Sequence, residues 1–393
     1  MSRVSKRLAR LPGSATLAIS SRARELRAEG RDVISFGAGE PDFPTPEHIV
    51  AAATRAAADP ANHHYTANAG LPSLRAAIAD YTKAYSQVEV APDQVLVTNG
   101  AKQAIFQAFA ALLDPGDEVL LPAPHWVTYP AGIELADGVP VTVPTDAADG
   151  FKVTPELLEA RMTPRTKLLV FVSPSNPTGA VYSAEEARAI GEWSIANGVT
   201  VLADEIYQRL VYGSEEVAPS IAAVAPGLED VVLVNGVAKS FAMTGWRVGW
   251  LTGPADVVAA AARFQSHATG NVNNVAQAAA LEALTGPQET VVEMREAFDK
   301  RRQTMFSMLS GAPGLSCVEP EGAFYVFPGV QGLLNDRYPT SESLAEGLLE
   351  EAGIAVVPGD SFGAPGFIRL SYALSDADLE RGVTRMLDMF GRL

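Results

Sequence analysis

The chain has 393 residues, 47% of them apolar and 19% charged. That composition argues against disorder and allows two to three domains of about 150 residues each. Thirty basic residues against 46 acidic ones leave a net charge of −16, which argues against a broad basic face for nucleic acid or anionic membrane. One cysteine, Cys317, permits no intramolecular disulfide framework and fits a reducing compartment. The basic first ten residues run into Leu11-Pro12-Gly13-Ser14 with no apolar stretch to follow. No apolar run approaches the roughly 18 residues of a membrane span, so the expectation is a cytoplasmic globular protein.

Taken in order, the elements alternate. Ala51–Ala58 reads as helix. Val95–Thr98 reads as a strand ended by Asn99-Gly100, and Ala101, Ile105, Phe106, Phe109, Leu112 and Leu113 then recur at helical spacing. Val119–Leu121, Val139–Val143 and Lys167–Val172 are strands, the last apolar enough to be buried on both faces. A helix over Ala184–Ala196 follows, then strands over Val199–Ala203, Val231–Val234 and Val248–Thr252. This alternation predicts an α/β domain with a mostly parallel sheet. After about residue 285 the pattern becomes α+β. A long helix covers Pro287–Leu309, with extended segments at Ala323–Phe327, Ile354–Val357 and Phe367–Tyr372. Helices near Ser341–Ala352 and from Asp376 complete it, and this unit is expected to pack with the N-terminal segment.

Several side chains stand where chemistry happens, each with an ordinary structural reading beside the functional one. Lys239 sits among apolar and small residues after Val231–Val234. Desolvation would make it a Schiff-base nucleophile, although a snorkelling lysine at a strand end fits the same segment. Asp204 ends a strand and is followed by Glu205-Ile206-Tyr207. Carboxyl ends of parallel strands are where ligands bind, and helix N-caps are also where aspartates collect. Gly100-Ala101-Lys102 opens a helix, as an anion site or a packing turn. Trp126, in a proline-rich loop, is a stacking platform or a core aromatic. Asn176, within Ser173-Pro174-Ser175-Asn176-Pro177-Thr178-Gly179, lies in a tight loop at the end of the most apolar strand.

Arg369 alternates with Ile368 and Leu370 on a strand expected to be half-buried, where an arginine calls for a bidentate anion from the protein or a substrate. The five histidines show no metal-ligand spacing, and no nucleophile elbow, P-loop or dinucleotide fingerprint occurs. No metal is expected. Pro41, two residues after Gly39, keeps Gly37–Asp42 from opening a dinucleotide-binding helix.

Together and in this order, Gly39, Tyr65, Gly100-Ala101-Lys102, Trp126, Asn176-Pro177-Thr178-Gly179, Asp204-Glu205-Ile206-Tyr207, Lys239 with Arg247, and Arg369 resemble the class I aminotransferases. These are fold-type I enzymes that use pyridoxal 5′-phosphate. The similarity runs over essentially the whole chain. It is strongest at Ala238–Gly249 and Gly37–Pro46, and most like the bacterial aspartate branch, some of whose members accept prephenate.

The resemblance implies that Lys239 carries the cofactor covalently, that Asp204 keeps the pyridine nitrogen protonated, and that Tyr207 and Asn176 bond the ring's 3′ oxygen. Trp126 would stack on the ring. The amides of Gly100, Ala101 and Lys102, with Arg247, would hold the phosphate. Tyr65 would reach the other subunit's phosphate in a homodimer with shared sites. Arg369 would clamp the substrate α-carboxylate near Gly39 and Asn176, and Lys102 would take a distal carboxylate, with Ser14 and Thr16 adding hydroxyl contacts. Gly236 and Gly100 stand where the family often has hydroxyl residues, which leaves more of the phosphate to backbone amides and Arg247.

The implied reaction is transamination between L-aspartate, or another amino acid, and 2-oxoglutarate. Other donors (aromatic amino acids, alanine, prephenate) and a β-lyase or decarboxylase remain as alternatives. A cofactor-sensing regulator would need a DNA-binding domain that the chain has no room for before Gly39. The implied division is a large cofactor domain over 48–285 and a small domain of 1–47 with 286–393, linked by the long helix 287–310.

Overall fold

The computed structural model describes residues 3–9, 11, 13 and 15–393, so Ser14 and the side chain of Thr16 lie outside the described residues. After a short strand β1 (Ile34–Ser35), seven strands build the main sheet. They are β2 (Val95–Thr98), β3 (Glu118–Ala123), β4 (Val139–Pro144), β5 (Thr166–Val172), β6 (Thr200–Asp204), β7 (Val231–Gly236) and β8 (Gly249–Thr252). Their order is β2-β8-β7-β6-β5-β3-β4, and only β8 runs antiparallel to its neighbours.

Burial on both faces explains the composition of these strands. In β5, Leu168 and Val170 point into one apolar cluster with Ala104, Phe109 and Ile133, while Leu169 and Phe171 point into another with Ile190 and Trp193. Period-two alternation serves two cores at once, so the run reads as uniformly apolar. Strand β4 lies at the sheet edge, where its prolines cost no ladder hydrogen bond.

Past the sheet the chain forms a second body around β9 (Tyr325–Val326), β10 (Ile354–Ala355), β11 (Val357–Pro358) and β12 (Ile368–Ser371). β1 pairs with β10, and β11-β12-β9 form an antiparallel sheet. Helices Glu289–Leu309 and Asp376–Phe390 cover them through Phe298, Met305, Val383 and Met386. The N-terminal helix Ala15–Ala28 packs Ala23 and Leu26 against Leu349 and Ala355, so the chain's two ends do meet.

Two expectations need correction. Ile354–Val357 is not one strand: its first half pairs with β1 and its second with β12, a change of partner that a continuous apolar run does not encode. Strand β12 is buried throughout rather than half-buried, because Ile368 and Leu370 sit in the cluster with Phe298 and Met386 while Arg369 lies over the Tyr325 and Phe362 rings. Among the described residues no helix is long and apolar enough to cross a membrane, and no group of three or more metal-binding side chains stands together.

Candidate active site

The fold carries the singled-out residues to one edge of the main sheet. Gly100 follows β2, Trp126 follows β3, Asn176 follows β5, Asp204 ends β6 and Lys239 follows β7. These strands are parallel, so their carboxyl ends open on the same side. Because β8 runs the other way, Arg247 just before its first residue arrives at that edge too. Arg369 comes from β12 and Gly39 from the loop after β1, facing the edge from the second body.

Lys239 donates from Nζ to the Gly39 carbonyl. Its amine lies 5.7 Å from the ring centres of Tyr207 and Phe324. Burial pushes its pKa down to about 8, helped by the like charges of Arg369 and Arg247. Roughly a tenth of the amines are therefore neutral at pH 7, a far larger share than for a solvated lysine, and the neutral amine is the form able to attack a carbonyl. A solvated lysine at a strand end does not describe it.

Asp204 is 4% exposed. Oδ1 accepts from the Ile206 amide at 3.1 Å and Oδ2 from the Tyr129 hydroxyl at 2.7 Å. The first bond is the local turn role; the second points elsewhere. Burial raises its pKa despite both bonds. Such a carboxylate is short of a cation.

Arg369 is 2% exposed. It donates to Asn176 Oδ1 and to the Gly37 carbonyl, both at 3.0 Å, and lies 4.4 Å over the Tyr325 ring. Its Nε has no partner, and no carboxylate pairs with it among the described residues. The arrangement suits an incoming anion.

The helix start is shaped for close approach. Gly100 has φ +80°, and a Cβ there would sit 2.6 Å from a guanidinium nitrogen of Arg247. A Cβ on Gly249 would sit 2.4 Å from the Ala101 amide nitrogen. Both positions need glycine for the Arg247 guanidinium to stand beside free amides at the start of helix Ala101–Leu112. Lys102 is exposed, with Nζ 4.9 Å over the half-buried Trp126 ring. Although the residue as a whole is exposed, partial burial of its amine, then repulsion from Arg247, lowers its pKa. Trp126 meets Tyr129 edge-on, with centroids 5.5 Å apart.

Tyr65 differs from this group in being 97% exposed. Two residues escaped sequence reading: Tyr129, partner of Asp204, and Tyr325, whose hydroxyl is 2.8 Å from that of Tyr207. Tyr129 left a faint trace, three residues after Trp126 and so on the same side of a helical turn. Tyr325 left none.

These observations test the fit of a phosphorylated aromatic aldehyde. A cation-short buried carboxylate suits a protonated ring nitrogen, a partly neutral lysine suits a carbonyl, and amides beside an arginine suit a phosphate. The residues fit. The comparisons with known proteins agree. The model of the family described as aminotransferase class I and II matches residues 31–386. The chain is 56% identical to the aspartate aminotransferase of Streptomyces avermitilis over 390 residues, 98% of this chain and 95% of that one. Among solved structures it resembles the aspartate aminotransferase of Rhizobium meliloti, with TM-score 0.95, 40% identity and 100% of both chains covered. It also resembles that of Thermus thermophilus with maleate, with TM-score 0.93, 43% identity, and 99% and 100% covered. The chain belongs to the class I and II aminotransferases. It is an amino-group transferase of fold type I whose cofactor is pyridoxal 5′-phosphate.

Proposed function

We propose that the enzyme transfers the amino group of L-aspartate to 2-oxoglutarate, giving oxaloacetate and L-glutamate. The observation that carries the reading is the presence of one buried, anion-free arginine, Arg369, together with a second cation, Lys102, over the Trp126 ring. A dicarboxylate needs two cations. The names of the relatives, and maleate, itself a dicarboxylate, in the Thermus structure, support the same choice.

Bound cofactor supplies an electron sink that stabilises negative charge at the substrate Cα. The protein's side chains do the rest. Arg369 and Asn176 hold the α-carboxylate with Gly39 beside them, which fixes the Cα–H bond relative to Lys239. Lys239 would hold the cofactor covalently, and its amine would move the proton at the substrate Cα. Asp204, held by Tyr129, keeps the ring nitrogen protonated. Tyr207 and Asn176 bond the ring oxygen and Trp126 covers the ring face. Gly100, Ala101, Lys102 and Arg247 hold the phosphate, and the Lys102 ammonium takes the distal carboxylate.

Lys102→Ala is expected to lower kcat/KM for aspartate by about 10- to 100-fold, the range for losing a hydrogen bond to a charged group, and for phenylalanine by no more than about threefold. Steady-state kinetics with both donors decides it: equal losses contradict the role of Lys102.

The division into a large domain of 48–285 and a small one of 1–47 with 286–393 belongs to this proposal, supported by the separate sheets and by the docking of the N-terminal helix on the second body. So does a homodimer in which Tyr65 completes the partner's phosphate site, which gives a reason for so exposed an aromatic ring. Mixing Tyr65→Ala with Lys239→Ala subunits tests it. In a mixed dimer one site carries neither change, so activity well above that of either variant is expected. No gain on mixing contradicts shared sites.

A further inference from the structure

Tyr325 is fully buried on β9, opposite Ser371 of β12 and two residues along from Arg369. Its ring supports the Arg369 guanidinium at 4.4 Å, and its hydroxyl is 2.8 Å from that of Tyr207. A Cβ on Gly39 would stand 3.5 Å from the same hydroxyl. One side chain from the second body thus touches three elements of the site: the loop after β6, the strand carrying Arg369, and the loop whose carbonyl holds Lys239.

We propose that Tyr325 is a positioning residue for Tyr207, donating its hydroxyl proton to the Tyr207 oxygen so that the Tyr207 proton is directed at the cofactor's ring oxygen. This rests on the placement of Tyr207 beside that oxygen. Two hydroxyls 2.8 Å apart share one hydrogen bond, and only one of them donates in it. With Tyr325 donating, the Tyr207 O–H is left over and polarised, a stronger donor than an isolated phenol. Donation to the ring oxygen favours its anionic form and lowers the pH at which the visible absorbance of the bound cofactor changes.

The groups facing this pair are Asp204, Tyr129, Lys239 and Arg369. Asp204, Arg369 and Tyr129 act on Tyr207 through charge, and the Lys239 amine lies 5.7 Å over its ring. None of them changes in a Tyr325→Phe variant. The phenylalanine also keeps the ring under Arg369.

The test is a pH titration of absorbance on purified holoenzyme. Tyr325→Phe is expected to raise the midpoint by roughly half a pH unit, as loss of one hydrogen bond implies, while KM for the amino donor stays within about twofold. Tyr207→Phe is expected to raise it too, and Tyr325→Phe added to Tyr207→Phe to do nothing more. A parental midpoint in Tyr325→Phe overturns the proposal, as does an equal shift in the Tyr207→Phe background. A shift in Tyr207→Phe alone leaves the site assignment standing while this proposal falls. No shift in Tyr207→Phe removes both. Tyr325→Leu, lacking the ring as well, is expected to raise KM in addition; unchanged KM there overturns the support of Arg369.

Discussion

Lys239→Ala is expected to abolish amino transfer, with kcat falling by at least roughly four orders of magnitude, the upper range for a single general acid–base group. The variant loses both the covalent attachment and the amine that moves the proton. Its fold should survive, because among the described residues the side chain's one hydrogen bond is its donation to the Gly39 carbonyl. The visible absorbance expected of lysine-attached cofactor should vanish while cofactor still binds through Arg247 and the amides of Ala101 and Lys102, the Gly100 amide being held by the Thr98 carbonyl at 2.8 Å. Attachment to cofactor-free parental protein should quicken as pH rises through about 8, where the amine loses its proton, and level off above it. Stopped-flow mixing measures this. A rate flat from pH 6 to 10 contradicts the placement of Lys239 in a desolvated, cation-flanked pocket.

Asp204→Asn is expected to separate activity from stability. Activity should fall by about 10²- to 10³-fold, the range for removing one preorganised electrostatic partner from a water-poor site. Cofactor-free protein should melt no lower than its parent at neutral pH. Folding raises the pKa of Asp204, chiefly by burial, so the native state holds that proton more tightly than the unfolded chain. Stability therefore drops as pH rises from the ordinary carboxylate value toward the raised one. An amide of the same shape carries no such cost and can still bond Tyr129. Full activity in Asp204→Asn contradicts the role given to the carboxylate. Thermal denaturation tests the other half: a strong loss of stability with activity kept would make Asp204 a structural residue.

Residues with a local signature were legible in the sequence. Lys239, Asp204, Asn176 and Gly100 each follow a strand whose apolar run is plain, and β-strand ends are where a parallel sheet places its ligands. Arg369 was legible as an arginine on a strand, but the depth of that strand was not. Its protein partners proved to be neutral acceptors. Tyr129 was barely legible and Tyr325 not at all, because their roles exist only across strands and bodies distant in sequence: Asp204 is 75 residues from Tyr129, and Tyr207 is 118 from Tyr325. The direction of β8 was hidden for a related reason. A four-residue apolar strand looks the same in either sense, yet its antiparallel run is what delivers Arg247 to the site.

Amino transfer from aspartate to 2-oxoglutarate is expected to depend on Lys239. It is tested most directly by incubating the holoenzyme and Lys239→Ala with aspartate carrying heavy nitrogen and with 2-oxoglutarate, then reading products by mass spectrometry. Heavy glutamate and an equal amount of oxaloacetate are expected from the parent and neither from the variant. Alanine and carbon dioxide in place of oxaloacetate, or heavy glutamate from Lys239→Ala at the parental rate, would contradict it.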